Sequence, residues 1–279
     1  MGRFDGVLLA SDFDNTLIYT EEACAPACRV PPLSLCNREA LEWFMAEGGR
    51  FAVATGRALA AFVNYADGVP MNAPAVVCNG AAIYDFQKKE YLDYALLDED
   101  AAAVARSFWT ASHPWLWRLP HRQCDPRGAA QPYHPPARAP DESGGDGGPL
   151  LAGGAHAPGQ AAVRGGARRA AGGPGPLIQE GWDRDYELIF SGKTLLEMTA
   201  KGANKGGMVL RLAARLGIGA DHVYCAGDEA NDIPMLTAAA RLCPANCVEA
   251  VRQCGATVVC DAREGALADV VEILEKQYT

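Results

Sequence analysis

The chain has 279 residues, 49% of them hydrophobic and 21% charged, with a formal net charge of −9. That length and balance suit an ordinary globular protein of one large domain or two modest ones. The negative charge argues against a nucleic-acid backbone or an anionic membrane surface as the main partner, so any bound phosphate needs a local cation or metal. The opening MGRFDGVLLASDFDNTL meets acidic residues too early for a signal-peptide core and does not fit a myristoylation signal, and no apolar run approaches a membrane span. The expectation is a cytoplasmic protein whose ten scattered cysteines are reduced. Those from Cys243 to Cys260 match no zinc spacing.

VLLAS, running into Asp12, is the first of five short apolar runs that do not alternate, as expected of strands buried on both faces. An amphipathic helix is expected from Asn37 to Glu47, stopped by Gly48 and Gly49. RFAVA then leads into Thr55, and AVVC into Asn79. Residues 86–117 read as a strand, QKKEYLDYALL, followed by a helix from Asp98 to Trp109 with acidic residues in its first turn. Regular patterning is lost from Arg118 to Pro176 and resumes at Leu177. A helix from Lys205 to Leu216 sets Val209, Leu212, Ala213 and Leu216 on one face, with Asn204 as N-cap and Gly217 as its stop. HVYCAG runs into Asp228, a helix is expected from Asp232 to Ala240, TVVC runs into Asp261, and a last helix spans Ala266 to Lys276. Strand alternating with helix predicts an α/β fold, a doubly wound parallel sheet.

Ligands of such sheets bind beyond the carboxyl ends of the strands. The fold reading therefore brings Asp12, Thr55, Asn79 and Asp228 to one rim. Strand ends also carry Asp and Asn as plain turn formers, which accounts for one or two of these positions but not for two carboxylate clusters. In Asp12-Phe13-Asp14 one carboxylate can attack phosphorus while the other protonates a leaving group. Gly227-Asp228-Glu229-Ala230-Asn231-Asp232 brings more carboxylates to another strand end, and such a group repels itself unless a hard cation such as magnesium is present. Thr55-Gly56-Arg57 offers a hydroxyl, a close-approach glycine and a cation, and Lys205 can neutralise nucleophile and phosphate together.

DFDNTL, ATGR, the lysine of KGANKG and GDEANDIPML, in this order, resemble the four motifs of the haloacid dehalogenase superfamily. Asp12, Asp14 and Thr16 match its DxDxT pattern, with Asn15 where glycine is commoner. The likeness covers residues 7–85 and 200–272, and VVCNGAAIYD resembles the entry into the cap of the Cof-like subgroup, whose cap lies between the second and third motifs. The resemblance implies a catalytic core of residues 1–85 and 200–279 and an inserted α/β cap of residues 86–199. It implies Asp12 as nucleophile and magnesium ligand, and Asp14 as general acid and then base with its backbone carbonyl on the metal. Thr55 and Lys205 would hold the phosphoryl group, with Gly56, Arg57 and Asn79 at the substrate; Asp228 and Asp232 would ligate or support magnesium, and Asn231 would hold their loop. The activity implied is a magnesium-dependent phosphatase acting on a small phosphorylated metabolite, sugar phosphates being one class. A phosphomutase on the same core and a non-catalytic or impaired protein of this fold are the alternatives. Arg57 reads equally well as a surface ion-pair partner and Asn79-Gly80 as a turn; Glu229 is read as solvated rather than catalytic and Trp109, Trp115 and Trp117 as cap core rather than a stacking platform, and no histidine is given a role.

The 59 residues from Arg118 to Pro176 hold 13 Gly, 12 Ala, 10 Pro and 7 Arg, a mixture that cannot bury a core. Their codons are GC-rich and the change is abrupt at both ends. The segment reads as out-of-frame translation between two compensating frameshifts, against the alternative of a natural disordered loop.

Overall fold

The computed structural model describes residues 2–20, 30–101, 116–118, 160–164, 181–190 and 195–278. In chain order the strands are β1 (Leu8–Ser11), β2 (Arg50–Val53), β3 (Ala75–Val77), β4 (Ala82–Asp85), β5 (Glu90–Tyr94), β6 (Leu116–Arg118), β7 (Gln160–Arg164), β8 (Tyr186–Phe190), β9 (Leu195–Ala200), β10 (Val223–Ala226), β11 (Ala240–Cys243) and β12 (Thr257–Val258). The described helices are α1 (Leu35–Ala46), α2 (Leu59–Ala66), α3 (Lys205–Arg215), α4 (Ile233–Ala238), α5 (Glu249–Gln253) and α6 (Ala266–Gln277).

The central sheet runs β12-β11-β10-β1-β2, with every pair parallel. Its strands are apolar without alternation because helices cover both faces. Leu9, Phe51 and Val53 face one cluster with Phe44 of α1 and Val270 of α6, while Leu8, Ala10 and Ala52 face another with Val209 and Leu212 of α3 and Leu236 of α4. From β1 the chain winds to one side through β2 and later to the other through β10 and β11. The order thus reverses between β1 and β10, where an open α/β sheet has its ligand crevice.

Several elements differ from the sequence reading. AVVC was expected to join the parallel sheet; β3 touches it through the single parallel bridge Ala54–Val76 and otherwise pairs antiparallel with β4, which pairs with β5. QKKEYLDYALL begins with the turn of that hairpin, Lys89 having φ +58°, so only Glu90–Tyr94 is strand. The helix expected from Asp232 to Ala240 is shorter. A 3-10 turn at Ala230–Asp232 leads into α4, the chain is extended by Ala239, and Ala240–Cys243 pairs with β10. The sheet ladder wins there over a local pattern too short to enforce a helix. TVVC forms only the two-residue edge strand β12.

A second sheet, β6-β7-β9-β8, is antiparallel throughout. β7 lies inside the stretch read as lacking regular structure; it is laddered on both sides, by β6 and β9, and backbone pairing of that kind asks little of composition. The remainder of the stretch from 118 to 176, most of the helix expected from Asp98 to Trp109, and Trp109 and Trp115 lie outside the described residues, as do Cys24, Cys28 and Cys124. Cys36, Cys225, Cys243, Cys247, Cys254 and Cys260 are free thiols. No helix among the described residues is long and apolar enough to cross a membrane.

Candidate active site

β1 ends at Ser11, and Asp12 follows it at the reversal of strand order, its backbone N–H bonded to Ala226 O of β10 at 2.8 Å. β10 in turn delivers Asp228. The first carboxylates of the two acidic motifs therefore sit side by side because their strands are neighbours. Carboxylate oxygens of Asp12, Asp228 and Asp232 all lie within 4.8 Å of one another, and all three residues are buried.

Lys205 enters this group from the first turn of α3. The helix starts there because Asn204 caps it, its side chain accepting from Gly207 N at 2.9 Å. Fully buried, Lys205 donates to Asp12 Oδ1 and to Asp232 Oδ1, each at 2.6 Å. Burial alone would pull its pKa down, but Asp12 and Asp232 outweigh burial and hold it above the ordinary lysine value. Asp232 has both oxygens engaged, since Oδ2 accepts the backbone N–H groups of Asp228 and Glu229 at 3.0 Å each. Asp228 accepts from Thr16 Oγ1 at 2.9 Å.

Three ionised carboxylates against one ammonium leave two negative charges in a dry pocket. Burial, with repulsion from Asp232 and Asp14, pushes the Asp12 carboxyl up to about 7 against the pull of Lys205. Burial, with repulsion from Asp12 and Asp232, pushes Asp228 up to about 9. A divalent cation suits this donor set: hard oxygens, converged, with a charge deficit of the matching size.

Asp14 stands apart from the cluster. Arg57 grips it with both arms, Nε to Oδ2 and Nη2 to Oδ1 at 2.7 Å each, and Thr20 Oγ1 donates to Oδ1 at 2.8 Å. The guanidinium also lies over the rings of Phe13 and Tyr65, with its carbon 5.2 and 4.9 Å from their centroids. The ion-pair reading of Arg57 is thus realised, with the proposed proton donor as its partner. Thr55 is buried, and its hydroxyl accepts from Arg57 N at 3.0 Å. Glu229 caps the 3-10 turn that carries Asp232.

Asn79 and Gly80 do more than turn the chain. Asn79 has φ 52° and ψ 31°, a left-handed conformation that asparagine tolerates, and is fully buried. Its Oδ1 accepts from Asn231 Nδ2 at 2.9 Å, and its own amide donates to Glu197 Oε2. Gly80 has φ +92°, and a Cβ there would fall 2.1 Å from the carbonyl carbon of Asn204. The backbone of this turn is therefore pressed onto the cap of the helix that bears Lys205.

A family model of the haloacid dehalogenase-like hydrolases matches residues 9–111 and 178–271. The chain belongs to that family. Its solved relatives share the fold. A haloacid dehalogenase-like hydrolase from Bacteroides thetaiotaomicron is 19% identical, covers 96% of this chain and 99% of its own, and superposes with a TM-score of 0.68. A phosphatase of the same superfamily from that organism, BT1666, is 15% identical over 97% of this chain and 96% of its own, with a TM-score of 0.70. A protein from Streptococcus mutans, 16% identical over 95% and 97%, reaches 0.71. No curated protein matches the chain.

Against this hydrolase fold, the sequence-predicted residues Asp12, Lys205, Asp228 and Asp232 converge, Asn79 and Asn231 meet beside them, and Asp14, Arg57 and Thr55 form an adjoining group. Three participants were missed: Thr16, Glu197, and Thr20, which donates to Asp14. Thr16 was noted only as part of a motif, yet it bonds Asp228. Glu197 was not singled out at all; the available signal was one acid within the apolar run LLEMTA.

Proposed function

We propose that this hydrolase is a magnesium-dependent phosphatase that cleaves a small phosphorylated metabolite through an aspartyl-phosphate on Asp12. The observation that carries the reading is the Asp12 carboxylate, held through one oxygen by Lys205 and leaving the other for attack, with a second acid two residues along the chain. Asp12 Oδ2 attacks phosphorus, the bond from phosphorus to the leaving oxygen breaks, and a protonated Asp14 gives that oxygen its proton. Asp14, now ionised, takes a proton from water as the water oxygen attacks the acyl phosphate. The bond from phosphorus to Asp12 breaks, inorganic phosphate leaves, and both aspartates return to their starting state. For the first step at least one Asp14 oxygen has to be freed from Arg57 to carry the proton.

Magnesium bound by Asp12 and Asp228, with the Asp14 carbonyl and Asp232 completing or supporting the shell, would neutralise charge on the phosphoryl oxygens. Lys205 favours the ionised form of Asp12 against the effect of burial and supplies a fixed positive charge to the same oxygens, and Thr55 offers a hydroxyl beside them. Asn231 Oδ1, buried with no partner among the described residues, is an acceptor that a water or hydroxyl brought with the ligand would satisfy. The family and the phosphatases among the structural neighbours support hydrolysis over a purely binding role.

The test is phosphate release from an aryl phosphate and from a panel of sugar and nucleotide phosphates, with magnesium and with a chelator. Release that requires magnesium is expected. No release from any substrate at saturating magnesium, or isomerisation of a sugar phosphate without release, overturns the reading.

A further inference from the structure

Among the described residues, four carboxylic acids are buried: Asp12, Asp228 and Asp232 form the cluster, and Glu197 does not. Glu197 comes from β9, in the second sheet, and is 5% exposed. Its Oε2 accepts from Asn79 Nδ2, whose residue lies 118 positions earlier in the chain.

An amide side chain has one donating and one accepting end. The carboxyl oxygen of Glu197 takes only the NH2 end of Asn79, so Asn79 Oδ1 must face Asn231, and Asn231 must answer with its own NH2. That choice leaves Asn231 Oδ1 as the buried acceptor beside the acidic loop. Asn79 cannot escape by moving: its backbone N–H is tied to Thr55 O at 3.1 Å, and a Cβ on Gly56 would already be 3.0 Å from its amide atoms. Turning the amide over would set NH2 against NH2 at Asn231. Asn231 lies in the 3-10 turn whose last residue is Asp232.

We propose that Glu197 is a positioning residue for the metal-binding acids, acting through Asn79 and Asn231 and thereby making the acidic loop depend on the docking of β9. The inference rests on the hydrolase reading above and extends it to a residue outside the four motifs. What Glu197 supplies to the Asn79 amide is an acceptor oxygen. Glu197→Gln, which keeps a carbonyl, therefore preserves the arrangement, while Glu197→Met, of similar volume, loses it.

Magnesium affinity by calorimetry and steady-state kinetics on an aryl phosphate test this. In Glu197→Met, kcat and magnesium affinity each fall roughly 10–100-fold while KM changes less than about 3-fold. Glu197→Gln stays within about 3-fold of the parent on all three, and adding Glu197→Met to Asn231→Ala costs nothing further. Parental kcat and magnesium affinity in Glu197→Met, equal damage in Glu197→Gln, or additive losses in the double variant would overturn the proposal. If the parent hydrolyses no phosphate ester, the proposed function fails, and the side-chain amide nitrogen signals of Asn79 and Asn231 decide the relay on their own. Movement of both in Glu197→Met but not in Glu197→Gln sustains it, and signals unmoved in Glu197→Met sink it. Glu197→Ala takes the place of the methionine variant should that protein not fold.

Discussion

Asp12 and Asp228 carry similar side chains in one pocket, yet their environments separate them. Asp12 shares Oδ1 with an ammonium, whereas among the described residues the Asp228 carboxylate accepts from the Thr16 hydroxyl alone. Replacing Asp12 with Asn removes the attacking charge at constant volume, so the fold should persist while turnover drops by roughly 10⁴-fold or more. Circular dichroism and phosphate release check the two halves; activity within a few-fold of the parent would remove Asp12 from the nucleophile role. On the proposed function, Asp228→Ala takes one hard ligand from the set, and it relieves repulsion in the metal-free pocket. The magnesium concentration for half-maximal rate should rise at least about tenfold, or activity should vanish. An unchanged magnesium dependence would mean that Asp228 does not hold the metal.

At the scale of elements, the site depends on the helix that carries Lys205. Asn204 caps α3 through its side chain, and the same residue's backbone lies under Gly80. Gly80→Ala meets two penalties at once, a left-handed φ and a Cβ inside the contact distance of Asn204. Loss of about 2–4 kcal/mol in urea unfolding is expected, together with a fall in kcat as the start of α3 shifts. Gly217 also has positive φ, 72°, but a Cβ there meets nothing within 4 Å. Gly217→Ala should therefore cost backbone strain and leave kcat alone, which separates the two effects.

For the whole molecule, the buried charge deficit links stability to pH and metal. In the metal-free protein Asp12 and Asp228 have pKa values raised from 3.8 to about 7 and about 9, so between these limits the folded state holds protons that the unfolded state has released. Unfolding then gives off protons, and metal-free stability should fall as pH rises from about 5 towards 9. If magnesium binds these acids as proposed, it competes with those protons, so the gain in Tm on adding it should widen over the same range. Thermal melts with magnesium and with chelator at several pH values read this directly; a gain independent of pH would contradict it. The family match breaks between residues 111 and 178, bracketing the stretch from 118 to 176. Out-of-frame translation there predicts that the same DNA, shifted by one or two nucleotides, encodes apolar-alternating strands and an amphipathic helix. Stop codons or equally low-complexity sequence in both other frames would refute it.

The parallel sheet and the convergence of Asp12, Lys205, Asp228 and Asp232 were legible in the sequence because each rests on a local cause. Doubly buried strands must be continuously apolar, an N-cap starts the lysine helix, and strand ends in such a sheet share one rim. β11 and the antiparallel turn of the chain at β3 were not legible, since strand partners chosen across the sheet outweigh short local patterns. The same holds for Asp14 and Arg57, whose pairing depends on a contact across 43 residues. It holds most of all for Glu197: an acid in an apolar strand announces that something must meet it, but only the packing of β9 against the Asn79 turn decides what.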